Sequence, residues 1–295
     1  MNKKTLKSEG ILSHVSQFTY FRRVMMGRWV VVIGLVFIFI LIFSAAFAPL
    51  LAPYDPYQQD LKSALKDSSS SHLLGTDELG RDLLSRIIYG SRISLLVGIV
   101  SVSIAGAFGI VIGLLAGYYE GWINIIIMRF VDSLLALPPL LLILAISAVM
   151  GGGLLNILVA IGIGMMPTYA RMVCGQVISL KQNDYIVAAK SFGSSGFRIM
   201  FKHLLPNAFP TLLVLLTLNL GFAILMEASL SYLGIGILPP TAAWGTMVST
   251  SQRFLLTNPI LSLLPGFAIM AVVLSFNMVG DGVRDALDPR LRGTL

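Results

Sequence analysis

Few residues in this 295-residue chain have the type and placement to do chemistry. Glu227 closes a long apolar stretch, where a carboxylate can line a solute path and meet an amine, cap the next short helix, or bond a neighbouring subunit. Arg129 and Asp132 lie three apart, on one face of a helix, and can pair there as an anchor at a membrane interface or serve a proton relay. Met165 and Met166 precede Pro167 and follow Gly162 and Gly164; proline removes a backbone hydrogen bond, so this segment can bend. Glu227, Met165 and Met166 are therefore the candidate lining of a path. Bond-making chemistry has no foothold: there is no GxxxxGK[ST] phosphate loop, no HExxH, and no Ser/His or paired-carboxylate constellation. His14, His72 and His203 are far apart, and Asp281, Asp285 and Asp288 lack the spacing of a calcium loop. Neither a metal nor another cofactor is expected in the chain. The single cysteine, Cys174, reads as a small buried hydrophobe.

One polar stretch stands out, Asp184 to Pro206, reading DYIVAAKSFGSSGFRIMFKHLLP. Asp184 can cap and favour a helix N-terminus, Tyr185 to Phe192 is a helix-forming run, and Gly193 permits a turn that a residue with a side chain resists. Ala188 and Ala189 are small enough to let another surface approach the backbone. Tyr185, Phe192 and Phe197 can anchor in a partner's groove, and Lys190, Arg198 and Lys202 can pair with acidic groups or lipid headgroups. A compact knob follows, suited to docking rather than catalysis.

The elements that carry these residues are membrane spans. The chain is 56% hydrophobic and 12% charged, with mean hydropathy +0.85, against about 25% charged in an ordinary soluble domain. A bilayer core of about 30 Å takes roughly 20 apolar residues in a helix, because lipid offers the backbone no hydrogen bonds. Six segments qualify: 29–51, 93–118, 130–150, 154–172, 207–227 and 259–280. Gly151-Gly152-Gly153 divides what would otherwise be one overlong run, and the repeated glycines Gly98, Gly106, Gly109, Gly113 and Gly117 point to close helix packing. Ala46-Phe47-Ala48 resembles a cleavage site, but the uncharged run before it is too long for a signal peptide, so 29–51 reads as a retained first span.

The net charge of +7 is topological, since Lys and Arg are dispersed between spans with no basic, aromatic-interleaved patch for nucleic acid. With the N-terminus inside, 15 of the 21 Lys and Arg fall on the inner side. Both termini and the 171–206 loop are then cytoplasmic and the 52–92 loop external. Within the external loop, Gly75-Thr76-Asp77 offers cap residues and Leu79, Leu83, Leu84, Ile87 and Ile88 share a face, which predicts an amphipathic helix on the outer membrane surface. The organisation is thus a tail at 1–28, a first span at 29–51, an external loop at 52–92, a five-helix core at 93–280 and a tail at 281–295.

Ala188-Ala189, Gly193 and Leu205-Pro206 also match in spacing the EAA loop of bacterial ABC-importer permeases: Glu-Ala-Ala, three residues, Gly, nine residues, Ile, one residue, Leu-Pro. Val187 stands where that pattern has Glu, and His203 where it has Ile. LLGTDELGRDLLSRIIYGSRISL from Leu73, the run Glu227-Ala-Ser-Leu-Ser-Tyr-Leu-Gly-Ile-Gly, Pro239-Pro240, Trp244-Gly245 and the tail from Asp285 to Arg292 extend the resemblance over about 29–292. It is to the dipeptide, oligopeptide and nickel permeases, and nearest to their C-type subunit.

That resemblance implies an all-α protein with the type I permease fold of six transmembrane helices, resident in the bacterial cytoplasmic (inner) membrane. Its implied partners are a second, homologous permease, two ATPases that carry ATP and Mg, an extracellular or periplasmic solute-binding protein, and lipid. It places ATPase coupling at Asp184, Tyr185, Val187, Ala188, Ala189, Lys190, Phe192, Gly193, Leu205 and Pro206. The implied solutes are di- or oligopeptides, with a nickel chelate or glutathione as the alternative within the family. An ion-coupled carrier is the rival from another class, and sparse intramembrane charge argues against it.

Overall fold

A computed structural model describes residues 17–287. Residues 1–16 and 288–295, with His14 and the end of the tail motif, lie outside the described residues. The helices are α1 (Gln17–Gly27), α2 (Trp29–Ala46), α3 (Ala48–Leu51), α4 (Leu83–Tyr118), α5 (Trp122–Leu135), α6 (Pro139–Met150), α7 (Leu154–Leu180), α8 (Asp184–Ser191), α9 (Gly196–Arg198), α10 (Leu205–Tyr232), α11 (Trp244–Ser251) and α12 (Ile260–Leu287). Among the described residues, pairing of the β type is confined to an isolated bridge between Thr76 and Asp82. Five helices are long and apolar enough to cross a membrane: α2, α4, α7, α10 with the turns preceding it, and α12. The pair α5 and α6 supplies the sixth crossing only as a bent unit.

The third span, expected as one helix over 130–150, is broken by 94° between Leu135 and Pro139. Pro138 and Pro139 are the cause. Each lacks a backbone N–H, and each pushes the residue before it out of the helical region; Pro138 accordingly adopts φ −53°, ψ 133°. Pro139 then fits the first position of α6, where no donor is needed.

The second span differs too. It starts at Leu83, ten residues before the apolar run suggests, so the expected surface helix is the first part of α4. The cap is Asp82, whose carboxylate accepts from Ser85 N–H at 2.8 Å and Ser85 Oγ at 2.7 Å, rather than the 75–77 segment. Its apolar face packs on protein instead of lipid: Trp244 of α11 lies against Gly90 and donates its indole N–H to Ile87 O at 3.0 Å. The helix has 36 residues and runs about 54 Å, well beyond a bilayer core.

The bundle is organised around α4 and α7. Gly109, Gly113 and Gly117 recur every four residues on α4, so they form a groove along one face. A Cβ at these positions would stand 2.5 Å from Tyr169 Cβ, 2.6 Å from Ala170 O and 2.7 Å from Val177 Cβ. Small residues here let two backbones meet, which is how helices associate where lipid removes the hydrophobic drive. Gly162 and Gly164 serve packing as well, against Ile104 and Ile143, and α7 runs as one helix through Pro167. Cys174 is buried beside Ala116 and Met128.

Two ends are distinguishable. At one, α1 packs Val24 and Met25 against Val279, Val283 and Ala286 of α12, and Arg28 pairs with Asp285. The ends of α4 and α7 and the whole of α8 lie at this end. At the other, residues 52–82 fold into a polar cap. There Arg81 Nε meets Asp77 Oδ2 at 2.6 Å, Arg86 Nη1 donates to Pro56 O at 3.0 Å, and His72 Nδ1 lies 3.0 Å from Asp82 Oδ1. Glu78 reaches Arg253 at 2.8 Å and ties this cap to the 252–259 loop.

Candidate functional site

The segment singled out for coupling is a short helix, a turn and a widened helical turn leading into α10. Asn183 occupies the cap position and Asp184 the first helical one, correcting the cap assignment, although a carboxylate there still complements the helix dipole. Lys190 sits in the last turn, where a cation is favoured. At the far end Gly193 adopts φ +77°, the left-handed region that costs a residue with a side chain. Gly193 N–H donates to Lys190 O at 3.0 Å and Ser194 N–H to Ala189 O at 3.1 Å. These two bonds are the Schellman pair, which satisfies the last carbonyls of a helix only when the turn residue is left-handed.

Ile186 is the one buried residue of α8. It packs with Ile199, Met200 and Leu204 in the main core cluster, so it pins the helix to the bundle. Those three belong to a π-helical turn, Ile199–Leu204, with Leu205 N–H bonded to Met200 O. Pro206 explains that turn: it has no N–H to give and its ring would press on the carbonyl four residues back, which a wider helix relieves. The 203–206 part of the motif therefore sets the path of the chain into α10, and Leu205 is half-buried while Pro206 is exposed.

The rest of α8 faces outward. Phe192 is 89% exposed, Phe197 69% and Val187 54%, with Tyr185, Ala188 and Lys190 also exposed and Ala189 half-buried. Phe197 packs against Phe201, the two rings tilted by 36° with centroids 4.5 Å apart. An apolar, aromatic surface of this kind on a basic segment has the composition of an interface core.

Two contacts that sequence reading missed brace this platform. Lys181, just past α7, donates from Nζ to Tyr118 O at 2.8 Å and to Glu120 Oε1 at 2.9 Å. Its hydrogen bond holds the Glu120 carboxyl below the ordinary carboxylate value. Gly196 abuts the Tyr118 ring, closely enough that a Cβ would come within 2.9 Å. Both sides of α8 are thus referred to the end of α4. The Lys181 partner could not be read from spacing, since it lies 61 residues away.

Elsewhere, Asp132 pairs with Arg171 of α7 at 2.8 Å, a link between helices instead of the expected pairing with Arg129 on one face. Glu227 is 1% exposed and accepts from Ser231 Oγ at 2.6 Å; Ser231 Oγ in turn accepts from Ile237 N–H at 2.9 Å. Met165 lines a cavity beside the α5–α6 break, while Met166 is half-buried and outside its lining. Among the described residues no three of His, Cys, Asp and Glu gather where a metal ion could sit.

Residues 109–293, which hold α8, its turn and α10, match the family model of the binding-protein-dependent transport system inner membrane component. The chain belongs to this family. It is a transmembrane permease subunit of an ABC importer and not an enzyme. Residues 16–68 match the N-terminal transmembrane domain of oligopeptide transport permease C. The permease is 45% identical to the dipeptide transport system permease protein DppC of Alkalihalophilus pseudofirmus, over 88% of this chain and 86% of that protein. It is 43% identical to the glutathione transport system permease protein GsiD of Pectobacterium atrosepticum, over 92% and 91% of the two chains. A chain of the inward-facing MetNI methionine ABC transporter shares its fold, with TM-score 0.58 at 19% identity, covering 70% of this permease and 98% of that chain.

Proposed function

We propose that this permease carries small peptides inward across the cytoplasmic membrane, pairing with a second permease of the same fold and driven by two ATPases, one of which docks on α8. The observation that carries the docking reading is a helix whose one buried residue fixes it to the bundle while its aromatic and small residues stay exposed. The chain has no phosphate loop, so ATP and Mg belong on the ATPases, and a solute-binding protein would deliver the peptide at the end opposite α8. The positive-inside distribution supports a cytoplasmic placement for α8, Arg28 and Asp285.

The relatives' solutes support the substrate class. Dipeptides and glutathione are both small peptides, so a peptide bond is what they have in common. Movement of the ATPases would be transmitted through Ile186 to the π-helical turn and α10, and through Lys181 and Gly196 to α4, so that the spans alternate between inward-open and outward-open arrangements.

The test is reconstitution of the full complex with its binding protein in proteoliposomes. Uptake of a labelled dipeptide is expected to need ATP and the ATPases and to persist when ion gradients are collapsed. Uptake that follows an ion gradient without ATP would favour the ion-coupled carrier instead.

A further inference from the structure

In the angle of the α5–α6 break lies a cavity of 230 Å³, lined by Leu135, Pro139, Met165, Thr168, Asn219 and Phe222 among others. Its walls are apolar except at Thr168 and Asn219. Asn219 Nδ2 donates to the Tyr169 hydroxyl at 2.9 Å, the one hydrogen bond of its side chain among the described residues. Tyr169 is fully buried, its Cβ against Gly109 of α4, so its hydroxyl is a fixed post. A carboxamide has two N–H donors and an acceptor oxygen. With one N–H held by the phenol, the other N–H and the oxygen remain for the cavity.

Depth can be read along α12. Leu218 packs against Gly280, five residues before Asp285, whose pairing with Arg28 marks the α8 end of the bundle. At 1.5 Å per residue, Asn219 lies about 8 Å inside that level. Polar side chains at such depth are costly in lipid and belong on surfaces that meet water, partners or solute.

We propose that Thr168 and Asn219 form a subsite for the peptide bond of the passing substrate, with Tyr169 as its positioning residue; this rests on the peptide-importer reading. A carboxamide is the complement of a peptide bond, offering a donor to its C=O and an acceptor to its N–H, and it reads the backbone whatever the side chains. Neither residue is charged, so the solute is held weakly enough to leave, as passage requires. A volume of 230 Å³ is below the about 300–1,000 Å³ of sites that engulf a ligand, so the cavity takes one residue of the substrate at a time. Met165 gives it a flexible wall that adapts to different side chains.

The experiment compares alanyl-glycine with alanyl-sarcosine, its analogue whose N-methylated peptide bond has no N–H, each delivered by saturating loaded binding protein to the reconstituted complex. Wild type is expected to carry alanyl-glycine about tenfold faster, the worth of one hydrogen bond. Asn219→Leu should carry both at the slower rate, and Asn219→Gln should restore part of the discrimination. Tyr169→Phe should lose part of it by releasing the carboxamide. If Asn219→Leu fails to assemble, the near-isosteric Thr168→Val provides the same comparison with a smaller expected loss. Discrimination that survives intact in Asn219→Leu, or in Thr168→Val and Tyr169→Phe together, overturns the subsite and leaves the importer standing. A wild-type complex that moves no dipeptide at all overturns both.

Discussion

Ser231 Oγ, in the last turn of α10, donates to Glu227 Oε1 at 2.6 Å and accepts from Ile237 N–H at 2.9 Å. Thr246 Oγ1 adds a bond to Ile237 O at 2.6 Å, so one carboxylate organises the chain's return from α10 to α11. Glu227 does not cap the next helix, since α11 starts after Ala243 with no side-chain cap; its carboxylate bonds back within α10 instead. Glu227→Gln keeps an acceptor oxygen for Ser231 and is expected to transport near wild-type rate, whereas Ser231→Ala strands the Ile237 N–H and should cost about 1–3 kcal/mol of stability. Uptake assays and thermal unfolding of the purified complex decide; loss of uptake in Glu227→Gln with unchanged stability would assign the carboxylate to the solute instead.

Gly193→Val tests the turn. A β-branched residue at φ +77° costs roughly 1–2 kcal/mol and opens the paired bonds to Lys190 O and Ala189 O. The variant should reach the membrane in normal amount yet lose substrate-stimulated ATP hydrolysis in the assembled complex. Normal stimulation would dissociate the turn from coupling.

Phe192→Ala removes the exposed aromatic that closes α8 at its C-terminal cap, without touching the bundle. A docked anchor of this type is worth about 2 kcal/mol or more, so the ATPase should bind the permease at least tenfold more weakly. Ile186→Ala should weaken docking by a different route, by loosening α8 from Ile199, Met200 and Leu204. Co-purification under dilution measures both, and stoichiometric recovery with Phe192→Ala would move the interface elsewhere.

Orientation is tested by cysteine labelling. Ser70 in the polar cap and Ser191 on α8 are both exposed and lie at opposite ends. In sealed right-side-out cells, Ser70→Cys should react with an impermeant maleimide and Ser191→Cys should not. The reverse pattern would invert the whole assignment.

The spans were legible because lipid forces the chain into long uninterrupted apolar helices, and the α8 platform because Asp184, the alanines and Gly193 act locally. What escaped depended on contacts between distant segments or on a local rule outweighed by hydropathy. Pro138-Pro139 was in plain view, but the apolar run continued across it and concealed a 94° break. The start of α4 looked like a surface helix because its apolar face has the same period whether it meets lipid or Trp244. Asn219 gave no signal, since an isolated amide in an apolar run acquires meaning only from Tyr169, 50 residues away.

With a single side chain committed inward, α8 is nearly free of the constraints that the bundle places on its own sequence. On the proposed docking, its outward positions would answer to the ATPase alone and could drift in step with that partner while Ile186 and Gly193 stay fixed. Val187, standing where the related pattern carries a glutamate, is the mark such paired drift would leave. Exchange of α8 between permeases should therefore carry ATPase preference with it and leave the transport pathway untouched, making this helix an interchangeable adaptor between two separately evolving machines.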